Sequence, residues 1–114
     1  MNDFVKHYLI AALWSSSDGN GDNLDKNYGV EDISEESIKK AIKDCEYFQA
    51  KAGDLLDSID DEHGGHNFFL TRNGHGEGFW SRGYEGDIGE KLTELCKEFG
   101  SVDFYKGDDG CIHC

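Results

Sequence analysis

The residues best suited to chemistry lie in one glycine-rich stretch, residues 66–86, which contains both arginines of the chain. An arginine fork can hold a phosphate or a carboxylate through two hydrogen bonds, and an imidazole can move a proton near neutral pH. Arginine and large aromatic rings are also the usual anchors of protein interfaces. The residues of this stretch predicted to contact a ligand or a partner are Arg72, His75, Trp80, Arg82 and Tyr84.

A loop is predicted to carry most of these side chains, over residues 73–86. Asn73-Gly74 is typical of a tight turn, because both residues tolerate positive φ. Residues 68–72 before the turn are predicted to form a short buried strand, preceded by a chain break at Gly64-Gly65. Bare backbone beside large rings suits a close-fitting site, but it equally suits a compact loop that closes over a small core.

Apolar periodicity predicts three helices. The second is the clearest, with Ser34 as its N-cap and Gly53 as the position of a bend or an early end. Asp3 is predicted to cap or begin the first helix, and Asp87 to cap the third. The predicted helices cover residues 3–16, 35–58 and 88–99.

The end of the chain alternates apolar and polar residues over 102–106 and 111–113, around a Gly-Asp-Asp-Gly turn, which predicts a hairpin. Together with the strand over 68–72, this hairpin would form a small antiparallel sheet. A length of 114 residues is enough for one domain. The sequence therefore predicts a single α+β domain over 1–114, with about three helices packed on a small antiparallel sheet.

The chain is strongly acidic, with a net charge of −13 from 24 acids against 11 lysines and arginines. This charge argues against nucleic acid or an anionic membrane as a direct partner. No apolar run approaches the ~20 residues of a membrane span. The surplus of negative charge could serve solubility alone. Alternatively, the carboxylates could imitate a phosphate backbone and occupy a basic surface of another protein.

The predicted end of the second helix is especially acidic. Carboxylates at a helix C-terminus oppose the macrodipole and repel one another, so helix stability does not explain them. This conflict suggests a second use for them. The acids predicted to bind a partner are Asp54, Asp57, Asp60, Asp61 and Glu62.

Two segments partly match metal motifs. The acidic loop over 17–32 places Asp18, Asn20 and Asp22 as in a calcium loop, but it lacks the bidentate glutamate. The terminal Cys111-Ile112-His113-Cys114 resembles half of a zinc site or a dithiol, without a second cluster to complete it. No cofactor is therefore predicted. Calcium at Asp18, Asn20 and Asp22, and zinc at Cys111, His113 and Cys114, are the weaker alternatives, and 111–114 could also be a frayed or strand-end terminus.

The other cysteines and histidines favour structural roles. Cys45 and Cys96 fall on apolar helix faces and are predicted to be buried free thiols. His63, His66 and His75 have a spacing that favours hydrogen bonding over zinc binding.

One segment carries a family resemblance. The segment Leu70-Thr71-Arg72-Asn73-Gly74-His75-Gly76, continued by Gly78-Phe79-Trp80 and Arg82-Gly83, resembles a family of small uncharacterised proteins encoded by bacteriophages. Leu13-Trp14-Ser15-Ser16 fits the same family, and the resemblance covers most of the chain. It implies a phage origin and the host cytoplasm as the setting. It brings no known activity, so it assigns no catalytic residue.

The favoured function is binding and inhibition or modulation of a host protein that handles nucleic acid, by imitation of nucleic acid. Anti-CRISPR and anti-restriction proteins belong to this class. The alternative is a small-molecule- or nucleotide-binding protein, or an enzyme, centred on the Arg72–Arg82 loop. A virion or assembly protein is the third hypothesis. The sequence contains no complete nucleophile–base pair, which favours a binding protein over an enzyme, and it does not indicate an oligomeric state.

Overall fold

The computed structural model describes all residues of the chain, 1–114. Four helices are followed by a two-stranded antiparallel sheet, so the α+β class is confirmed and the prediction of three helices is wrong. Short 3₁₀ turns cover Leu24–Lys26, Val30–Asp32, Gly53–Leu56 and Phe79–Ser81. The main elements are α1 (Asp3–Ser15), α2 (Glu35–Ala52), α3 (Asp61–Arg72), α4 (Ile88–Lys97), β1 (Tyr105–Lys106) and β2 (Ile112–His113).

The first two helices begin at side-chain caps. The Asn2 side chain accepts a hydrogen bond from the Val5 amide at 2.9 Å, so Asn2 caps α1 and Asp3 lies in its first turn. Ser34 caps α2 as predicted. This helix ends at Ala52 and not at Ser58, which confirms the early end predicted at Gly53, because Gly53 adopts a φ of 49° that an α-helix cannot continue.

The predicted strand over 68–72 is wrong, because these residues form the second half of α3. Gly64 and Gly65 lie inside this helix and do not break the chain. A Cβ on Gly65 would overlap the backbone oxygen of Phe4, and one on Gly64 would meet the Phe4 ring. The two glycines therefore allow α3 to lie directly against α1, a close approach that only glycine permits.

The end of the chain folds back onto α2. β1 and β2 pair with Tyr105 opposite His113, which confirms the hairpin but not the participation of residues 68–72 in the sheet. Ile112 is fully buried and forms a parallel bridge with Ile33. The Cys114 amide donates to the Ser37 hydroxyl at 3.0 Å. The terminal residues are thus a docked strand end and not a frayed tail.

The last helix, α4, begins at Ile88 as predicted but ends at Lys97, two residues early. Asp87 makes no side-chain capping bond and instead pairs with Lys91 at 3.3 Å. The helix nevertheless buries Leu92 and Cys96 in the core.

Aromatic rings fill the centre of the molecule. Phe48 of α2 and Phe68 of α3 stack with their centroids 4.1 Å apart, and Phe99 meets both rings edge-on. Cys45 and Cys96 are fully buried, as predicted, and burial raises the pKa of Cys96 to about 12. No helix has the length and apolar character needed to cross a membrane.

Candidate functional site

Arg72, the first of the predicted loop residues, is the last residue of α3 and is buried. Its Nη1 donates to Asp44 at 2.8 Å and to the Tyr8 hydroxyl at 2.9 Å. Its Nε and Nη2 donate to the carbonyls of Gly100 and Phe99, just beyond the end of α4. Burial alone would lower the pKa of Arg72, but the neighbouring Tyr8 and Asp44 outweigh it, so the pKa is raised. Arg72 therefore ties α3 to its neighbours and has no surface left for a ligand.

His75 lies on a different face. It is exposed and borders a polar cavity of about 420 Å³, together with three consecutive serines, Ser15–Ser17, and with Ser101 and Asp103. No hydrogen bond joins the imidazole to a serine or to Asp103. The residues around this cavity are mostly polar.

The loop between α3 and α4 is both an anchor and an exposed surface. Phe79 is fully buried, and its amide donates to the Thr71 hydroxyl at 3.0 Å. The next residue, Trp80, is 54% exposed. Tyr84 is half-buried and accepts a hydrogen bond from the Asn67 side chain at 3.1 Å. The loop thus closes over the core through Phe79 while it presents Trp80 to solvent.

Arg82, the remaining loop residue, joins a cluster of histidines. Together with His7 of α1 and with His63 and His66 of α3, it lines a cavity of about 420 Å³. We call this the histidine cavity. Its other lining residues are Ile10 and Glu62.

His66 is partly buried in this cavity. Its ring lies 5.8 Å from the ring of Trp14, which is 46% exposed. Burial lowers the pKa of His66 below its usual range, and the nearby Arg82 and His63 lower it further. The cavity thus places Arg82 and His63 where their charge opposes the protonation of His66.

The sequence did not reveal the role of His7, because α1 lies far from α3 along the chain. A signal was present nonetheless. His7, Ile10 and Trp14 follow helical spacing on one side of α1, and this side remains partly exposed. This face of α1 supplies His7 and Ile10 to the wall of the histidine cavity and places Trp14 beside His66.

The five predicted acids form a second feature, which we call the acidic junction: Asp54, Asp57, Asp60, Asp61 and Glu62. The prediction that they lie at the end of α2 is wrong. They occupy the turn after α2 and the first turn of α3. All five are exposed.

The conflict with the helix dipole disappears for the last three of these acids. Asp60 caps α3, and its carboxylate accepts a hydrogen bond from the His63 amide at 2.8 Å. That backbone bond, with the His63 ring 2.7 Å away, lowers the pKa of Asp60. Asp61 and Glu62 lie at the positive end of the helix, where negative charge is stabilising. Only Asp54 and Asp57 have no evident role in the fold.

The segments with partial metal motifs satisfy their polar groups internally. One carboxylate oxygen of Asp18 accepts the amides of Asn20 and Asp22 at 2.7 and 3.3 Å. The His113 ring contacts Asp109 at 3.0 Å. No group of three or more His, Cys, Asp or Glu side chains is arranged to hold a metal ion.

The predicted site residues thus divide among the core, the His75 cavity, the Trp80 surface, the histidine cavity and the acidic junction. The last two are contiguous, because Asp60 and His63 border a further cavity of about 360 Å³ together with Arg82 and Tyr84.

Comparison with protein-family models, curated proteins and solved structures gave no match.

Proposed function

We propose that this protein binds a bacterial protein that handles nucleic acid and inhibits or modulates it, by placing carboxylates where that protein holds phosphates. The observation that carries the proposal is the acidic junction. Its five carboxylates are exposed within residues 54–62, and only Asp60 has an ion-pair partner, His63. Unpaired carboxylates on a chain of net charge −13 would attract a basic groove at long range.

The acidic junction is held by the fold. Leu55 and Leu56 pack against the core from within the 3₁₀ turn, and Ile59 is buried between the acids. The following residues are fixed by the cap of α3. Carboxylates on an ordered turn lose less conformational entropy on binding than carboxylates on a tail, so more of the electrostatic attraction remains as affinity.

Specific contacts would come from the side chains beside the acidic junction. Arg82 and Tyr84 border a cavity shared with Asp60 and His63. Arginine and tyrosine are frequent interface anchors. Arg82 and Tyr84 therefore extend the charged surface into one with a defined shape, whereas Arg72 contributes only through the fold.

The phage setting of this proposal rests on the family resemblance of residues 66–83. A small acidic phage protein in the host cytoplasm would encounter the nucleic-acid-binding enzymes of anti-phage defence. An anti-CRISPR or anti-restriction role is the form of the proposal that follows from that setting.

The test is an affinity capture from bacterial lysate with the wild-type protein and the double variant Asp54→Lys/Asp57→Lys. These two carboxylates make no recorded side-chain bond, so their reversal leaves the cap of α3 intact. We expect the wild type to capture a nucleic-acid-binding protein that short duplex DNA releases. The double variant should lose that capture.

The matched control is Asp103→Lys/Asp108→Lys, which makes the same change in net charge at exposed positions near the terminal hairpin. It should retain capture. Circular dichroism of each variant establishes that the fold persists. Capture that survives both the reversal at 54 and 57 and the DNA competitor would contradict the proposal, as would the absence of any captured protein.

A further inference from the structure

We propose that the histidine cavity binds the phosphate group of a phosphomonoester, with the apolar part of the ligand against Ile10. The inference concerns a small ligand and does not depend on a protein partner. It begins from a concentration of charge. In a chain of net charge −13, three of the five histidines and one of the two arginines line the same cavity.

The cavity has the dimensions of a ligand site. Its volume of about 420 Å³ falls in the range of ~300–1,000 Å³ typical of small-molecule sites. Two helices and the loop between α3 and α4 supply its walls, so no single flexible segment defines it. Ile10 is 38% exposed and gives the wall an apolar patch.

The cavity also contains unused hydrogen-bond donors. Arg82 donates its Nε to Asn67 at 3.1 Å, and its Nη2 lies 3.7 Å from Glu77, which is beyond hydrogen-bond distance. Its remaining N–H groups have no recorded acceptor. The Nδ1 of His63 lies 2.7 Å from the Asp60 carboxylate, so its other ring nitrogen becomes a free donor when the imidazole is protonated. A phosphate accepts several such bonds at once.

Proton linkage favours an anion at this position. The groups that face His66 are His7, His63 and Arg82, which oppose its protonation, and Glu77, which favours it. A bound phosphate would place negative charge beside His66 and raise the proton affinity of its imidazole. Because the pKa of His66 is lowered in the free protein, binding should strengthen as the pH falls below the ordinary histidine value of about 6.5.

Glu62 tests whether negative charge in the cavity weakens phosphate binding. It lines the same cavity and repels an anion. Arg82, in contrast, attracts one, and its guanidinium also disfavours a metal cation among the histidines. Neutralising the two residues should change phosphate affinity in opposite directions.

The experiment is a proton NMR titration of the histidine ring signals, with inorganic phosphate, phenyl phosphate and benzoate, each at constant ionic strength. At about pH 6, just below the ordinary histidine value, we expect saturable shifts for His7, His63 and His66 only. His75 and His113 serve as internal controls, since both lie outside the cavity. Phenyl phosphate should bind more tightly than inorganic phosphate, and both should weaken at about pH 8.

Three variants complete the design. Arg82→Gln should weaken phenyl phosphate binding about tenfold, the value of one charge-assisted contact of roughly 1.4 kcal/mol. Glu62→Gln should strengthen it. Lys97→Gln removes a positive charge from an exposed pair with Glu94 outside the cavity and should leave binding unchanged.

The proposal is overturned if all five histidines shift together, if no shift saturates, or if Arg82→Gln binds as the wild type does. Equal binding of benzoate would also overturn it, because the site would then accept any oxyanion. Circular dichroism of the variants separates loss of binding from loss of fold.

Discussion

Arg72 shows how a residue suited to chemistry can serve the fold alone. From the sequence, an arginine between a short apolar run and an Asn-Gly turn is predicted to face a ligand. In the structure its guanidinium reaches Asp44, Tyr8 and two carbonyls just beyond α4. The sequence could not reveal this, since those acceptors lie far from Arg72 along the chain and only the tertiary fold brings them together.

Replacing Arg72 tests this structural role. Arg72→Lys keeps the charge but cannot make the forked set of bonds, so carbonyl groups at the end of α4 lose their donors. We expect a loss of about 2 kcal/mol in the free energy of unfolding, measured by urea denaturation. Lys97→Ala, at an exposed ion pair, should change it by less than about 0.5 kcal/mol. If Arg72→Lys left the free energy of unfolding unchanged, the hydrogen bonds of Arg72 would contribute little to stability.

At the scale of the element, α3 is the main difference between prediction and structure. Phenylalanines and Thr71 favour a strand, and paired glycines suggest a break. Two features outweigh that local preference: the Asp60 cap and the close packing of Gly65 on α1. Asp60 followed by acids is a helix-start signal that the sequence contains, but apolar periodicity predicts these acids at the end of α2.

The contact at Gly65 predicts a position-specific sensitivity to a single methyl group. Gly65→Ala places a Cβ on the Phe4 carbonyl, so the helices must separate, at a cost of about 3 kcal/mol or more. Gly76→Ala is the matched control, because no atom lies within 4 Å of its Cβ position. Thermal unfolding followed by circular dichroism compares them. Equal midpoints for the two variants would refute the close approach of α1 and α3.

The cap of α3 predicts a defined pH dependence. The folded pKa of Asp60 is lowered, so its charge contributes stability that is present above the unfolded value of about 3.9 and is lost as pH falls through the folded pKa. Asp60→Ala should therefore be less stable than wild type at neutral pH, and the charge-dependent part of the difference should vanish in acid. Asp60→Asn, which keeps a capping oxygen, should lose less. A difference that is constant with pH would contradict this role for the charge.

At the scale of the whole molecule, local patterns predicted the elements whose stability is local. Periodicity and caps located α1, the start of α2, most of α4 and the terminal hairpin. The same patterns could not predict the site, because the histidine cavity combines His7 from one end of α1 with Arg82 from a loop late in the chain. Arg82 and Tyr84 remain predicted contact residues, whereas Arg72 belongs to the core.

The net charge of −13 predicts that salt stabilises the fold. Most of its 24 acids have no cationic partner within ion-pair distance, so folding brings like charges together. Raising NaCl to about 0.15 M shortens the Debye length to ~8 Å and should raise the thermal midpoint. The variant Asp103→Lys/Asp108→Lys, which is less negative, should respond less. A midpoint that falls with salt would show that attractive pairs dominate.

The contact between Trp14 and His66 has a spectroscopic consequence. Both tryptophans are about half exposed, at 46% and 54%, so their emission wavelength should change little on unfolding. Protonated imidazole quenches a neighbouring indole, whereas neutral imidazole quenches far less. The brightness of Trp14 should therefore follow the charge on His66, with Trp80 as a steady background. The protein thus carries an intrinsic optical reporter of the histidine cavity and needs no added dye.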